Sequence, residues 1–356
     1  MTEYTEKELD AIVLDSFEEL TYKCKAECTD GFAFSSPRKK HADFLIKTLG
    51  EGVYNKVRGL FFDEKYRAKV LGGLQKRAIR CVTYFSEDYP ESFRRIPAPP
   101  LVLYCRGNVG LLKARSFAIV GSRRTLPNIL KECKKLSSQL AEHFVIVTGT
   151  ADGADTAAAE GAAESGNLIF FAAQGLDHIY PASNAPLYKK AAERGLLVSE
   201  QRPQAGAKAY LFPVRNRLIA ALAEGVLVVS AGEKSGACIT AEYAFEYGKD
   251  VFCFPYSLGV PSGAGCNRLI KKGAYLAENI LDICSAFGLD FTARKIEQLS
   301  PREGEVLAAL KAAGEAHVEI IAQLLGCRPY EILAELSSLE VKGLVSRLGG
   351  NRYIAL

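Results

Sequence analysis

The stretch SFAIVGSRRTLPNILKECKKLSSQLAEHFVIVTG, residues 116–149, decides the fold class. An apolar run, Ser116–Val120, ends in a glycine and two arginines; a helical stretch, Leu126–Glu142, follows, and a second apolar run, Phe144–Thr148, closes the unit. Short apolar runs separated by helices are strands of a parallel sheet covered on both faces. The same alternation continues outward. Further strands are expected at Leu168–Ala172, Leu196–Ser199, Gly225–Val229 and Asp250–Phe254, with helices at Ala154–Glu164, Ala185–Glu193, Val214–Leu222 and Ile239–Tyr247.

That pattern is an α/β, doubly wound, Rossmann-like parallel sheet, in which ligands bind at the carboxyl ends of the strands. Upstream, residues 82–108 carry four prolines and no periodicity, which predicts a connector lying against the next domain. Before it, short helices are expected at Glu8–Leu20, Ala42–Leu49 and Lys65–Lys76. From Ser300 the apolar spacing becomes helical again and the chain runs out in SRLGGNRYIAL, so three helices and a small hairpin predict a winged-helix-like domain. The expected division is a small helical N-terminal domain (1–80), a connector (81–110), an extended Rossmann-like domain (111–290) and a winged-helix-like domain (291–356).

The chain has 356 residues, 48% hydrophobic and 24% charged, which is globular composition for roughly two to three domains. Its apolar runs fall short of the ~20 residues of a membrane span, and its first residues are acidic where an export signal would be basic. A cytoplasmic protein without a membrane association is expected, and its ten cysteines are then reduced thiols, mostly in the core. Cys24 and Cys28 are the only close pair, with no second pair or nearby histidine to complete a zinc site, so no metal is expected. The net charge of +4 is too small to announce a nucleic-acid partner, and beyond Ser300 six Lys/Arg face seven Asp/Glu, against a DNA-reading role for that domain. It reads as a protein-contact or packing module.

Chemistry must therefore rest on local loops. Gly121, Ser122 and Arg123 end the first strand, where glycine permits close approach, hydroxyl and N–H groups hold phosphate oxygens, and a guanidinium matches phosphate. The glycines and acids of TGTADGADTAAAEGA, from Thr148, precede a helix of small residues and read as tight packing on the sheet. The densest cluster is KAYLFPVRNR, in which Lys208, Phe212, Arg215, Asn216 and Arg217 bring cations, an aromatic and an amide to a helix start. Aromatic faces stack on unpaired bases while cations follow the phosphates, the combination used for single strands. The plain alternative is that Phe212 and Pro213 are buried and Arg217 pairs with a carboxylate such as Glu200. Ser235, Gly236 and Thr240 form another phosphate cradle at a helix start, and Gly263–Gly273 adds glycines and three cations. Neither a GxGxxG fingerprint nor a GK[ST] phosphate loop is present.

The ordered series YP…PP…LY.RGN (Tyr89–Asn108), VGSR (Val120–Arg123), TG.A.G.DTAA (Thr148–Ala158), GLD..YP..N..LY (Gly175–Tyr188), SE (Ser199, Glu200), FP.RNR.IA.L (Phe212–Leu222), SG..IT...A...G..VF..P (Ser235–Pro255) and G.N.LI..GA (Gly265–Ala274) resembles the DNA-processing protein A family, DprA or Smf. The resemblance implies a protein that binds single-stranded DNA, forms a homodimer and loads the RecA recombinase onto incoming DNA in natural transformation, with no catalytic turnover and no cofactor. It maps DNA contacts onto Gly121, Ser122, Arg123, Phe212, Arg215, Asn216 and Arg217, with Ser235, Gly236 and Thr240 in the same pocket and Lys208 by position alone. Two departures stand out: Ala159 lies near the place of the family's usual histidine, and Pro255-Tyr256 replaces the usual Pro-Gly.

Two other classes compete. A phosphoribohydrolase similar to the LOG family would place a glutamate in a PGGxGTxxE loop, and Glu242 is similarly placed but lacks the glycine run. A nucleotide-sensing domain signalling through the winged helix is the third. Asp155, Asp177 and His178 could be imagined as an acid/base group, but no nucleophile with a base partner is readable.

Overall fold

The computed structural model describes residues 4–18, 59–289, 299–342 and 344–355, together with Gly50, Gly52 and Asn55. The chain forms two compact units, Met1–Gly288 and Leu289–Leu356. The expected helix at Ala42–Leu49 and the Cys24/Cys28 pair lie outside the described residues.

In the first unit, helices α1 (Glu6–Asp15) and α2 (Glu64–Lys76) precede β1 (Arg80–Thr83), a one-turn helix α3 (Glu91–Arg94) and β2 (Val102–Gly107). The doubly wound part follows as β3 (Ser116–Gly121), α4 (Pro127–Leu140), β4 (Val145–Gly149), α5 (Ala154–Ala162), β5 (Leu168–Phe171), α6 (Ala185–Arg194), β6 (Leu196–Ser199), α7 (Leu211–Leu222), β7 (Gly225–Ser230), α8 (Gly236–Glu246) and β8 (Asp250–Cys253). It ends with α9 (Ala264–Lys271), β9 (Tyr275–Leu276) and α10 (Ile280–Ala286).

The nine strands form one sheet in the order β1-β2-β6-β5-β4-β3-β7-β8-β9. From β6 to β9 all pairings are parallel. These strands are the apolar runs, and their side chains are almost wholly buried because helices cover both faces. The strand order reverses beside β3, with β4 on one side and β7 on the other, so the crevice at the carboxyl end of β3 is the topological switch point.

The connector is more than a connector. β1 and β2 lie within 80–107 and pair antiparallel with each other, and β2 pairs antiparallel with β6, which makes the sheet mixed. Its prolines fall between the strands, where they remove no ladder hydrogen bond. The N-terminal helices dock on this added pair: the Tyr104 hydroxyl donates to Asp15 at 2.6 Å in the core, and the Cys81 N–H donates to the Tyr4 hydroxyl at 2.9 Å. α1 begins earlier than the apolar spacing predicts because Thr5 and Glu8 form a capping box.

In the second unit, α11 (Pro301–Ala313), β10 (Ala316–His317), α12 (Val318–Leu324), a 3-10 turn (Pro329–Ile332) and α13 (Leu333–Val341) precede the hairpin β11 (Val345–Leu348) and β12 (Arg352–Ala355). β10, β12 and β11 form a three-stranded sheet beside the helices, a winged-helix arrangement with its own apolar core. Seven described cysteines are buried and Cys327 is half-buried, and none is in a disulfide. Among the described residues no helix is long and apolar enough to cross a membrane.

Candidate nucleic-acid interface

A cavity of about 380 Å³ opens at the switch point. The β3–α4 loop supplies Gly121, Ser122, Arg123 and Arg124; α7 supplies Phe212, Arg215 and Asn216; the start of α8 supplies Ser235, Gly236 and Thr240; and α5 supplies Asp155. Residues up to 119 positions apart in the chain thus meet in one place.

Each loop is held by packing behind it. A Cβ on Gly121 would lie 2.6 Å from the Ala154 Cβ and 2.9 Å from Val229, so this glycine answers to helix packing rather than to ligand approach. Gly153, at φ +81°, is equally constrained, since a Cβ there would meet the Ser122 and Arg123 carbonyls at 2.6 Å. The Ser122 N–H, expected to face phosphate, donates instead to the Ser230 carbonyl at 2.9 Å and its hydroxyl at 3.1 Å. Its own hydroxyl accepts from the Arg124 N–H at 3.2 Å, which leaves the O–H proton as its donor toward the cavity. Gly236 has open space around it, and Ser235 caps α8 through a bond from the Ala237 N–H.

At the mouth, the Arg123 guanidinium carbon sits 5.2 Å from the Phe212 ring centroid, and the Tyr180 ring meets Phe212 edge-on at 5.8 Å. Below them Arg215, 6% exposed, donates through Nη1 to the Phe171 carbonyl and through Nε to Asn216 Oδ1 at 3.1 Å. Asn216 Nδ2 donates to the Gly236 carbonyl at 3.3 Å, tying α7 to α8. Burial lowers the Arg215 pKa, an effect that the charge of Asp155 opposes. Burial also pushes the Asp155 carboxyl up to about 6, against the pull of Arg215.

Two expected contacts lie elsewhere. Arg217 is 4% exposed, and its Nη2 donates to both Glu200 oxygens at 2.6 and 2.7 Å. It is therefore a buried structural ion pair, because two residues along a helix turn the side chain to the opposite face from Arg215. Lys208 is exposed on the loop before α7 and does not line the cavity. The cations of the Gly263–Gly273 segment also stay off it: Arg268 donates to the Glu233 carbonyl at 2.8 Å, and Lys272 pairs with Glu242 at 3.9 Å. Glu242, the rival catalytic glutamate, is thereby placed outside the cavity lining.

The imagined acid/base trio is not assembled. Asp177 pairs with Arg77 at 2.7 Å and His178 Nε2 contacts the Gln204 carbonyl at 3.0 Å, while Asp155 alone lines the cavity. Val120, Arg124, Ala151, Asp155, Ile219 and Ala237 also line the cavity, and the motif reading gave none of them a ligand contact. The signal for Asp155 was its place in the first turn after the strand next to β3. Of the departures, Ala159 is fully buried in the packed face of α5, and the Tyr256 hydroxyl donates to the Val229 carbonyl at 2.8 Å.

The family model for DNA recombination-mediator protein A matches residues 80–288, and one for the DprA winged helix domain matches 292–351. The chain belongs to the DNA recombination-mediator protein A family. DNA processing protein DprA of Bacillus subtilis is 36% identical over 220 residues, covering 60% of this chain and 74% of that one. Protein Smf of Escherichia coli is 31% identical over 334 residues, 90% and 89% of the two chains. The X-ray structure of DprA from Streptococcus pneumoniae superposes with a TM-score of 0.61 at 28% identity, over 80% of this chain and 98% of that one. A structure reported for the single-stranded DNA binding mode of DNA processing protein A from Helicobacter pylori gives 0.54 at 33% identity, over 58% and 95%. Within the family the matched region holds the whole cavity. Among the described residues no group of His, Cys, Asp and Glu could hold a metal ion.

Proposed function

We propose that this protein binds single-stranded DNA along the rim of its sheet and acts as a recombination mediator, without making or breaking a bond in the DNA. Phosphates of the strand lie against Arg123, Arg215, Ser122, Asn216 and the α8 start at Ser235–Gly236, with Thr240 lining the same cradle. An unpaired base stacks at the mouth on Phe212 or on the guanidinium above it. Gly121 shapes this site through packing, Lys208 extends it along the approaching loop, and Arg217 is left to the core. A homodimer would lengthen the track, and a RecA recombinase would receive the strand during natural transformation in a cytoplasmic setting. The winged-helix unit, which carries no excess of basic residues, serves protein contact rather than the duplex groove. The Rossmann-like region, with the 81–110 segment in its sheet, carries the DNA.

The observation that carries this reading is the contact between Arg123 and Phe212, 89 residues apart, at the mouth of a cavity lined by three arginines. A mobility-shift comparison of single- and double-stranded oligonucleotides across a salt series tests it. Preferential retention of the single strand, weakening with salt at a log–log slope of about −0.7 per phosphate contact, is expected. Equal retention of the duplex would overturn it.

A further inference from the structure

A carboxylate has the wrong sign for a polyanion site, yet Asp155 lines the cavity at 6% exposure beside Arg123, Arg124 and Arg215. It is held there. The Ala151 N–H donates to its Oδ2 at 3.4 Å. A Cβ on Gly149 would lie 2.3 Å from that oxygen and 2.5 and 2.6 Å from the two terminal nitrogens of Arg215, so the acid and the guanidinium crowd over one backbone position. With its carboxyl pushed up only to about 6, Asp155 is still largely charged at neutral pH. The groups facing it are Arg215 from α7, Arg123 from the β3–α4 loop and the Cys133 thiol from α4, whose pKa burial raises. It therefore sets a negative charge among the positive ones.

The geometry points to Asp155 as the residue that selects the charge of the ligand: the cavity accepts the singly charged internal phosphodiester of a polynucleotide and rejects the doubly charged phosphomonoester of a strand end or a free nucleotide. Attraction to the guanidinium groups grows linearly with ligand charge, whereas the desolvation that opposes entry grows with its square. Repulsion from Asp155 also acts twice on a dianion. The strand would then be held by its body, and free nucleotides would not compete for it. This inference rests on the phosphate-binding reading of the cavity.

Thymidine 5′-monophosphate and its methyl ester differ by one charge at a pH of about 8, because the second monoester pKa is about 6. Each is titrated into the full-length protein by calorimetry at fixed ionic strength, with an oligothymidylate titrated in parallel. The methyl ester is expected to bind about tenfold more tightly, the equivalent of 1.4 kcal/mol. In Asp155→Asn both gain, and the monophosphate gains by the square of the factor seen for the ester, so the preference shrinks or inverts. Sulfate and methyl sulfate, whose charges stay fixed, provide a measurement on the unaltered protein: preference for the monoanion should relax as pH falls through about 6. Equal or stronger binding of the monophosphate by the parent protein, binding of neither small ligand, or equal gains in Asp155→Asn would overturn the inference. An oligonucleotide that binds while the charge preference is missing sinks only the role of Asp155. A charge preference without oligonucleotide binding sinks only the single-strand reading.

Discussion

Arg215 and Arg217 stand two residues apart on one helix and meet opposite surroundings. Arg215 faces the cavity, beside Asp155 and below Arg123 and Phe212. Arg217 faces the core, where Glu200 takes two bonds from one of its nitrogens and leaves nothing for solvent at 4% exposure. Equal burial therefore does not mean equal work. What separates the two is whether the neighbouring space is a cavity or a carboxylate.

The hardest test of that contrast is Arg217→Ala. Removing one partner strands Glu200 as a buried charge, and a loss of about 3–5 kcal/mol is expected in denaturant or thermal melting. If the variant melted like the parent and lost DNA instead, Arg217 would return to the binding face. Next in size, Phe212→Ala is expected to weaken oligonucleotide binding by about 1–3 kcal/mol, read by titration at several salt concentrations, with the salt slope nearly unchanged. A change in slope would show that the ring acts by positioning Arg123 rather than by stacking.

Arg123→Gln separates charge from packing on the cavity side. The log–log salt slope is expected to become shallower by about 0.7, while stability stays within about 0.5 kcal/mol because the side chain is exposed. The smallest effect concerns pH. A bound anion disfavours the Asp155 carboxylate, so binding takes up a proton; affinity is greater below about 6 and declines as pH rises through that value. A few-fold tightening between neutral and mildly acid pH is expected by fluorescence titration, and Asp155→Asn should flatten it. A parent protein with no pH response would place Asp155 outside the reach of the bound phosphate.

Much of the fold could be read directly. The central strands begin and end within a residue or two of the apolar runs, because a strand buried on both faces must be apolar along its whole length. β1 and β2 escaped that reading because the four prolines between the pair suggested irregular chain. In the site, Phe212 and Arg123 were legible as residue types suited to a single strand. Ser122 lines the cavity, but its N–H answers to Ser230 across 108 positions of sequence.

Local sequence alone determined the alternation of strands and helices, the winged-helix-like tail and the enrichment of cations and glycines in loops that follow strands. These depend on side chains close together in the chain, whose burial and capping follow a short period. Tertiary structure alone decided between the two readings of Arg217 in favour of Glu200, and alone showed that Gly121 answers to Ala154 and Val229 and that Asp155 shares the cavity with three arginines. Charge pairing and steric fit act across a few ångströms of space, whatever the distance along the chain, and only the folded sheet brings those atoms within range.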